Sequence, residues 1–187
     1  MLLACHPPKE TGALVDQATA RNRALLWVLF DTGMRVSEVC RLRLGDVDRE
    51  RGILLVREKG ATARRLTLGH EGLCHLLAYL DDYRLGVAAC GERGGAGKDH
   101  LFLSEKGHPF TKSGMALMFG RIWKRAGITR KGVNASLLRE SFATRYLQAG
   151  GELGMLWELL GQKEGRALEQ GLQTPGVGMT NRRIQKR

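Results

Sequence analysis

The chain has 187 residues, about one domain's worth, and 43% of them are hydrophobic, so it can bury a core without disulfides or metal. Lys and Arg number 30 against 19 Asp and Glu, a formal charge of +11. Because acids are interspersed among the bases throughout, this charge is expected on a folded basic surface that faces a polyanion. A bilayer span needs about 20 apolar residues, and the longest runs, such as Ala24 to Phe30, fall well short. Met1 to Pro8 has no basic stretch ahead of its short apolar run and does not read as a signal peptide; the chain is expected to be cytoplasmic, with no membrane partner. Cys5, Cys40, Cys74 and Cys90 are widely spaced and read as reduced, packed thiols. The nearest metal-like grouping, His70, Cys74 and His75, lacks further ligands close by, so neither metal nor cofactor is expected.

In chain order, residues 9 to 20 predict a short amphipathic helix and Arg21 to Phe30 a second, strongly apolar one. Thr32-Gly33 interrupts the pattern. A helix from Arg35 to Leu42 follows, with Val36, Val39 and Cys40 at core-facing spacing. Ile53 to Arg57 and Arg64 to Leu68 are β-type runs around a turn that holds Gly60, which predicts a hairpin with Lys59 near its tip. Glu71 to Arg84 is the next helix, with Leu73, Leu76, Leu77 and Leu80 inward. A glycine-rich loop then leads to an extended piece at Leu101 to Leu103. A helix from Thr111 to Ala126 packs Met115, Met118, Phe119, Ile122 and Trp123, and helices from Ser136 to Gln148 and Leu153 to Leu160 complete the pattern. One domain over residues 1–170 and a loose basic tail over residues 171–187 are expected.

The stretch Asp31-Thr-Gly-Met-Arg-Val-Ser-Glu-Val-Cys-Arg-Leu-Arg-Leu-Gly-Asp-Val-Asp48 closely resembles the first arginine motif of the tyrosine recombinase (phage integrase) family. Three further stretches resemble that family in the same order. Val56-Arg-Glu-Lys-Gly with Arg64-Arg65-Leu66 is similar to its lysine-bearing hairpin, and Leu101 to Phe110 to the segment before its central helix. Leu138-Arg-Glu-Ser-Phe-Ala-Thr-Arg-Tyr-Leu-Gln-Ala-Gly-Gly151, with Glu158-Leu-Leu-Gly161, is similar to its second arginine motif and the helix after it. The resemblance covers roughly residues 10 to 162. It implies a mainly α fold with a small antiparallel β-hairpin or three-stranded sheet, like the family's catalytic domain, and double-stranded DNA as partner, with other recombinase subunits as further partners. Arg35 and Arg139 fall on the positions that clasp the scissile phosphate, a task suited to the bidentate guanidinium fork. Lys59 falls on the position that protonates the leaving oxygen, and Arg64 and Arg65 are candidate phosphate contacts beside it.

Several family positions are altered. Ser136 and Glu140 stand where the pattern His-x-x-Arg-His has histidines, Gln162 stands where a later histidine or tryptophan is expected, and Gly171 stands at the position of the tyrosine that forms the covalent 3′-phosphotyrosine. No tyrosine follows Tyr146 and no histidine follows His108. Tyr146 lies about two helical turns, roughly 10 Å, from Arg139 and is expected to pack; Tyr79 and Tyr83 belong to a separate helix. The helical DNA-binding domain that the family carries ahead of this one is not recognisable, so a lone catalytic-type domain is expected. The leading expectation is a DNA-binding domain of this type that does not cleave DNA alone. The alternatives are a recombinase that receives a tyrosine in trans, and a weak phosphodiesterase with Glu140 as base.

Overall fold

A computed structural model describes residues 16–57, 63–86, 97–128 and 135–162. The expected short helix at residues 9 to 20 lies partly outside these residues, as do Lys59, the glycine-rich loop from residue 87 to 96, Gly171 and the expected tail.

The first described element is a single helix, α1 (Gln17–Thr32). The break expected near Arg21 is absent, because Ala and Arg are both good helix formers and the helix starts instead at Asp16, whose carboxylate accepts the Thr19 N–H at 2.6 Å. Gly33 closes it in the left-handed region (φ 61°), its N–H donating to the Leu29 carbonyl, a conformation that favours glycine. Helix α2 (Val36–Val39) is one turn long and shorter than the run expected from Arg35 to Leu42. The backbone is diverted there: the Leu42 carbonyl accepts the Leu101 N–H at 2.8 Å instead of continuing a helical ladder.

A 3-10 turn (Leu44–Asp46) leads into a three-stranded antiparallel sheet, β1 (Val47–Asp48), β2 (Ile53–Val56) and β3 (Arg64–Thr67), in that order. Leu54 pairs with Leu66 and Val56 with Arg64 on the core face, while Leu55 and Arg65 pair on the opposite face. This period-2 alternation separates Arg64 from its neighbour Arg65. Helix α3 (His70–Ala78) continues as π-helical turns over Tyr79–Arg84. Helices α4 (Lys112–Arg125), α5 (Ser136–Gln148) and α6 (Leu153–Leu160) follow. The architecture is therefore mainly α with one small antiparallel sheet, as the sequence implies.

The central core joins Leu25, Leu29, Met34, Leu54, Leu66 and Leu76 to Met115, Met118 and Phe119 of α4. A smaller cluster of Ala143, Leu156 and Leu160 is lined by Phe142 and Tyr146. The two meet at Gly33, where a Cβ would lie 2.6 Å from Phe142 Cδ1 and 2.9 Å from Leu160 Cδ2. Glycine at that point thus serves both the positive φ and the close approach of α5 and α6 to the end of α1. No helix among the described residues is long and apolar enough to cross a membrane.

Candidate nucleic-acid interface

The last turn of α6 organises the site. Gly161 adopts φ 61°, and the N–H groups of Gly161 and Gln162 donate to the carbonyls of Glu158 and Trp157, the bond pattern of a Schellman cap. Helix C-termini leave further carbonyls unpaired, at the negative end of the helix dipole. Three arginines occupy them: Arg64 Nε donates to Leu159 O at 2.8 Å, Arg139 Nη2 to Leu160 O at 2.8 Å, and Arg35 Nη2 to Gly161 O at 3.2 Å. Arg139 Nη1 also donates to Gly33 O at 2.7 Å, which ties α5 to the end of α1.

Glu38 locks this arrangement. It is 2% exposed, and its carboxylate accepts Arg64 Nη2 at 2.9 Å from both oxygens, the Arg35 N–H at 2.7 Å and Arg35 Nη1 at 3.5 Å. A buried carboxylate so engaged fixes the rotamers of two guanidiniums from different elements, α2's leading residue and β3. Sequence reasoning missed Glu38, which on a one-turn helix reads as a solvated acid; the fold alone places β3 against it.

Beside these groups opens a cleft of about 270 Å³, lined by Met34, Arg35, Val36, Ser37, Lys112, Ala135, Ser136 and Arg139. Arg35, Lys112 and Arg139, with Ser37 and Ser136, therefore line one concave space. Lys112 opens α4 directly after its N-cap Thr111, whose side chain accepts the Gly114 N–H. Burial pushes the Cys40 thiol up, and the charges of Lys112 and Arg41 pull against that shift. Sequence reasoning passed over Lys112 because a lone lysine at a helix start has an ordinary role there.

The other candidates fall elsewhere. Arg65 is exposed on the far face of β3, away from the face that carries Arg64. Glu140 is exposed and is not among the residues that line the cleft. Gln162 follows the α6 cap, its N–H bonded to Trp157 O. Lys59 and Gly171 lie outside the described residues.

The described tyrosines are engaged in packing. Tyr146 stacks on Phe142 with centroids 6.2 Å apart, and a Cβ at Gly151 would collide with its ring. Tyr79 is 1% exposed; its hydroxyl accepts the Leu103 N–H at 3.1 Å, and burial pushes its phenol above the usual value. Tyr83 packs against the main core. Near the metal-like trio, His75 stacks on Trp27 at 5.9 Å while Cys74 Sγ lies 3.7 Å from His70 Nε2, and no group of three metal-ligating residues exists among the described residues.

Known proteins share this framework. Sequence comparison matches residues 7–170 to the phage integrase family. The chain is 37% identical over 157 residues to tyrosine recombinase XerC of Bacillus pumilus (strain SAFR-032), covering 82% of this chain and 50% of that protein. It is 37% identical over 143 residues to tyrosine recombinase XerD of Mycobacterium tuberculosis (strain ATCC 25618 / H37Rv), covering 76% and 44%. The chain thus spans about half the length of these relatives. Among solved structures, XerA recombinase superposes with a TM-score of 0.66 at 31% identity over 82% of this chain and 52% of that one. XerH site-specific recombinase, bound to its difH substrate in a pre-cleavage complex, superposes with a TM-score of 0.67 at 28% identity, over 86% and 44%. With the family match running over residues 7–170 and this sheet and these helices superposing on recombinase structures, the chain belongs to the phage integrase family of tyrosine recombinases.

Proposed function

We propose that the chain binds duplex DNA by clasping a backbone phosphate in the cleft between Arg35, Lys112 and Arg139, and that it forms no covalent link to DNA alone. The observation that carries this reading is the convergence of three cations from three separate elements on one concave space, with two of them held by α6 and Glu38 before any ligand arrives. Preorganised donors need little rearrangement to meet a phosphate, and Arg and Lys together offset its charge. Ser136 adds a hydroxyl donor but no base that operates near neutral pH.

The covalent step needs an attacking oxygen near that phosphate. Tyr79 and Tyr146 are held by packing, and Gly171 supplies no hydroxyl. Glu140, the base that a phosphodiesterase would need, does not line the cleft. That XerH is captured with its difH substrate supports a nucleic-acid ligand. The net charge of +11 supports it independently. The reading makes the chain a cytoplasmic, DNA-bound member of its family that lacks its own nucleophile.

An end-labelled nicked duplex, run on native and denaturing gels, tests it. A shifted native band with no shift under denaturing conditions is expected, alone and across pH. A denaturant-stable adduct mapping to Tyr79, Tyr83 or Tyr146 would falsify the non-covalent reading. An adduct seen only on mixing with a tyrosine-bearing relative would instead establish a nucleophile supplied in trans.

A further inference from the structure

A second basic hollow, of about 250 Å³, is lined by Glu38, Arg41, Arg43, Asp46, Arg57 and His100, among others. Its two acids are already engaged. Glu38 is taken by Arg35 and Arg64, as described, and Asp46 accepts the Arg43 N–H at 2.9 Å through Oδ2 and pairs with Arg57 at 3.4 Å through Oδ1. Arg41 uses its Nε on the Ser37 carbonyl at 3.1 Å. Neither Arg41 nor Arg43 forms an ion pair among the described residues, and both are exposed, so the hollow carries surplus positive charge at its mouth.

The hollow is rigidly built. Its His100 wall is held by Arg84, which is 4% exposed and donates to the carbonyls of Lys98, His100 at 2.6 Å and Leu101 at 3.0 Å. Leu55 and Val56 of β2 also line the hollow. Met34 to Ser37 line the first cleft and Glu38, Arg41, Leu42 and Arg43 the second, so the two spaces are lined by consecutive parts of one short stretch of chain.

We propose that this second hollow takes another backbone phosphate of the same duplex, clasped by Arg41 and Arg43, next to the one held by Arg35. The proposal rests on the duplex-binding reading and extends it, because a polymer with regularly spaced phosphates engages neighbouring cationic hollows together, whereas a single free anion occupies one. Arginine suits the role, since its fork contacts two phosphate oxygens.

The test compares the salt dependence of duplex binding by the full chain and by Arg41→Ala/Arg43→Ala, measured by fluorescence anisotropy, with Arg51→Ala/Lys106→Ala as a control of equal charge loss at exposed positions outside both hollows. Each phosphate contact contributes roughly 0.9 to the log–log salt slope. The double variant is expected to lose about 1 from that slope with an unchanged melting temperature, while the control keeps it. An unchanged slope in the Arg41/Arg43 variant, or an equal loss in the control, overturns the proposal. So does a melting-temperature gain from inorganic phosphate that depends on Arg41 and Arg43 while the DNA slope does not, which would assign the hollow to a free anion. A wild-type chain that binds no duplex would defeat the parent reading as well, and is recognised because Arg35→Ala then changes nothing either.

Discussion

In the proposed reading Arg35 and Arg139 would join two roles in one side chain, since the groups offered to a phosphate also satisfy backbone carbonyls at Gly161, Leu160 and Gly33. The motif around each marks it as a candidate in the sequence, and the fold brings the two to one cleft. The groups that aim them were not legible there. Glu38 acquires its meaning only when β3 brings Arg64 within 2.9 Å, and Lys112 only when α4 starts beside α5 at the cleft. Removing one member of a buried ion pair strands the other, at a cost of about 3 kcal/mol or more. Glu38→Ala is therefore expected to destabilise the fold by about that amount in urea denaturation, and Glu38→Gln by less, since an amide oxygen still accepts from Arg64. A loss within about 0.5 kcal/mol, the usual range for surface substitutions, would show that Glu38 is not the lock described here.

Single elements were legible where apolar periodicity and turn residues agree. The hairpin strands around Leu54 and Leu66, the buried stripe of Met115, Met118 and Phe119, and the helices at α5 and α6 all follow from the pattern. Boundaries failed where the deciding contact is distant: α2 stops after one turn because Leu42 bonds to Leu101, a residue far along the chain. The start of α1 failed for a local reason, the Asp16 cap. Its carboxyl is held below the ordinary value of 3.8 chiefly by the Thr19 N–H. A carboxyl with a depressed folded pKa contributes stability that is fully present above its unfolded value and is lost as pH falls through the lower folded value. Asp16→Ala is accordingly expected to cost about 1 kcal/mol at neutral pH, the usual worth of such a cap. The gap between wild type and variant should begin to narrow in thermal melts near pH 3.8 and close as pH falls through the lower folded value. A gap that stays constant with pH would mean that the charged cap is not the source of the difference.

Across the whole molecule, the segment after α1 and the starts of α4 and α5 line one cationic cleft, while the end of α6 accepts the guanidiniums of Arg35 and Arg139. Contacts to about five phosphates would make binding fall with a log–log salt slope near −4 to −5. The family fold was legible because four motifs recur in order, whereas the convergence of Arg64, Arg139 and Arg35 on successive carbonyls of α6 is a tertiary fact that no local pattern encodes. The most direct measurement of the central claim is duplex affinity at fixed salt for wild type, Lys112→Ala and Arg35→Ala, each paired with its melting temperature. A charge-assisted contact is worth about 1.5 to 3 kcal/mol, so each substitution is expected to weaken binding about tenfold or more, with Lys112→Ala melting like wild type. Wild-type affinity in a folded Lys112→Ala and a folded Arg35→Ala would contradict the account and remove the phosphate from the cleft.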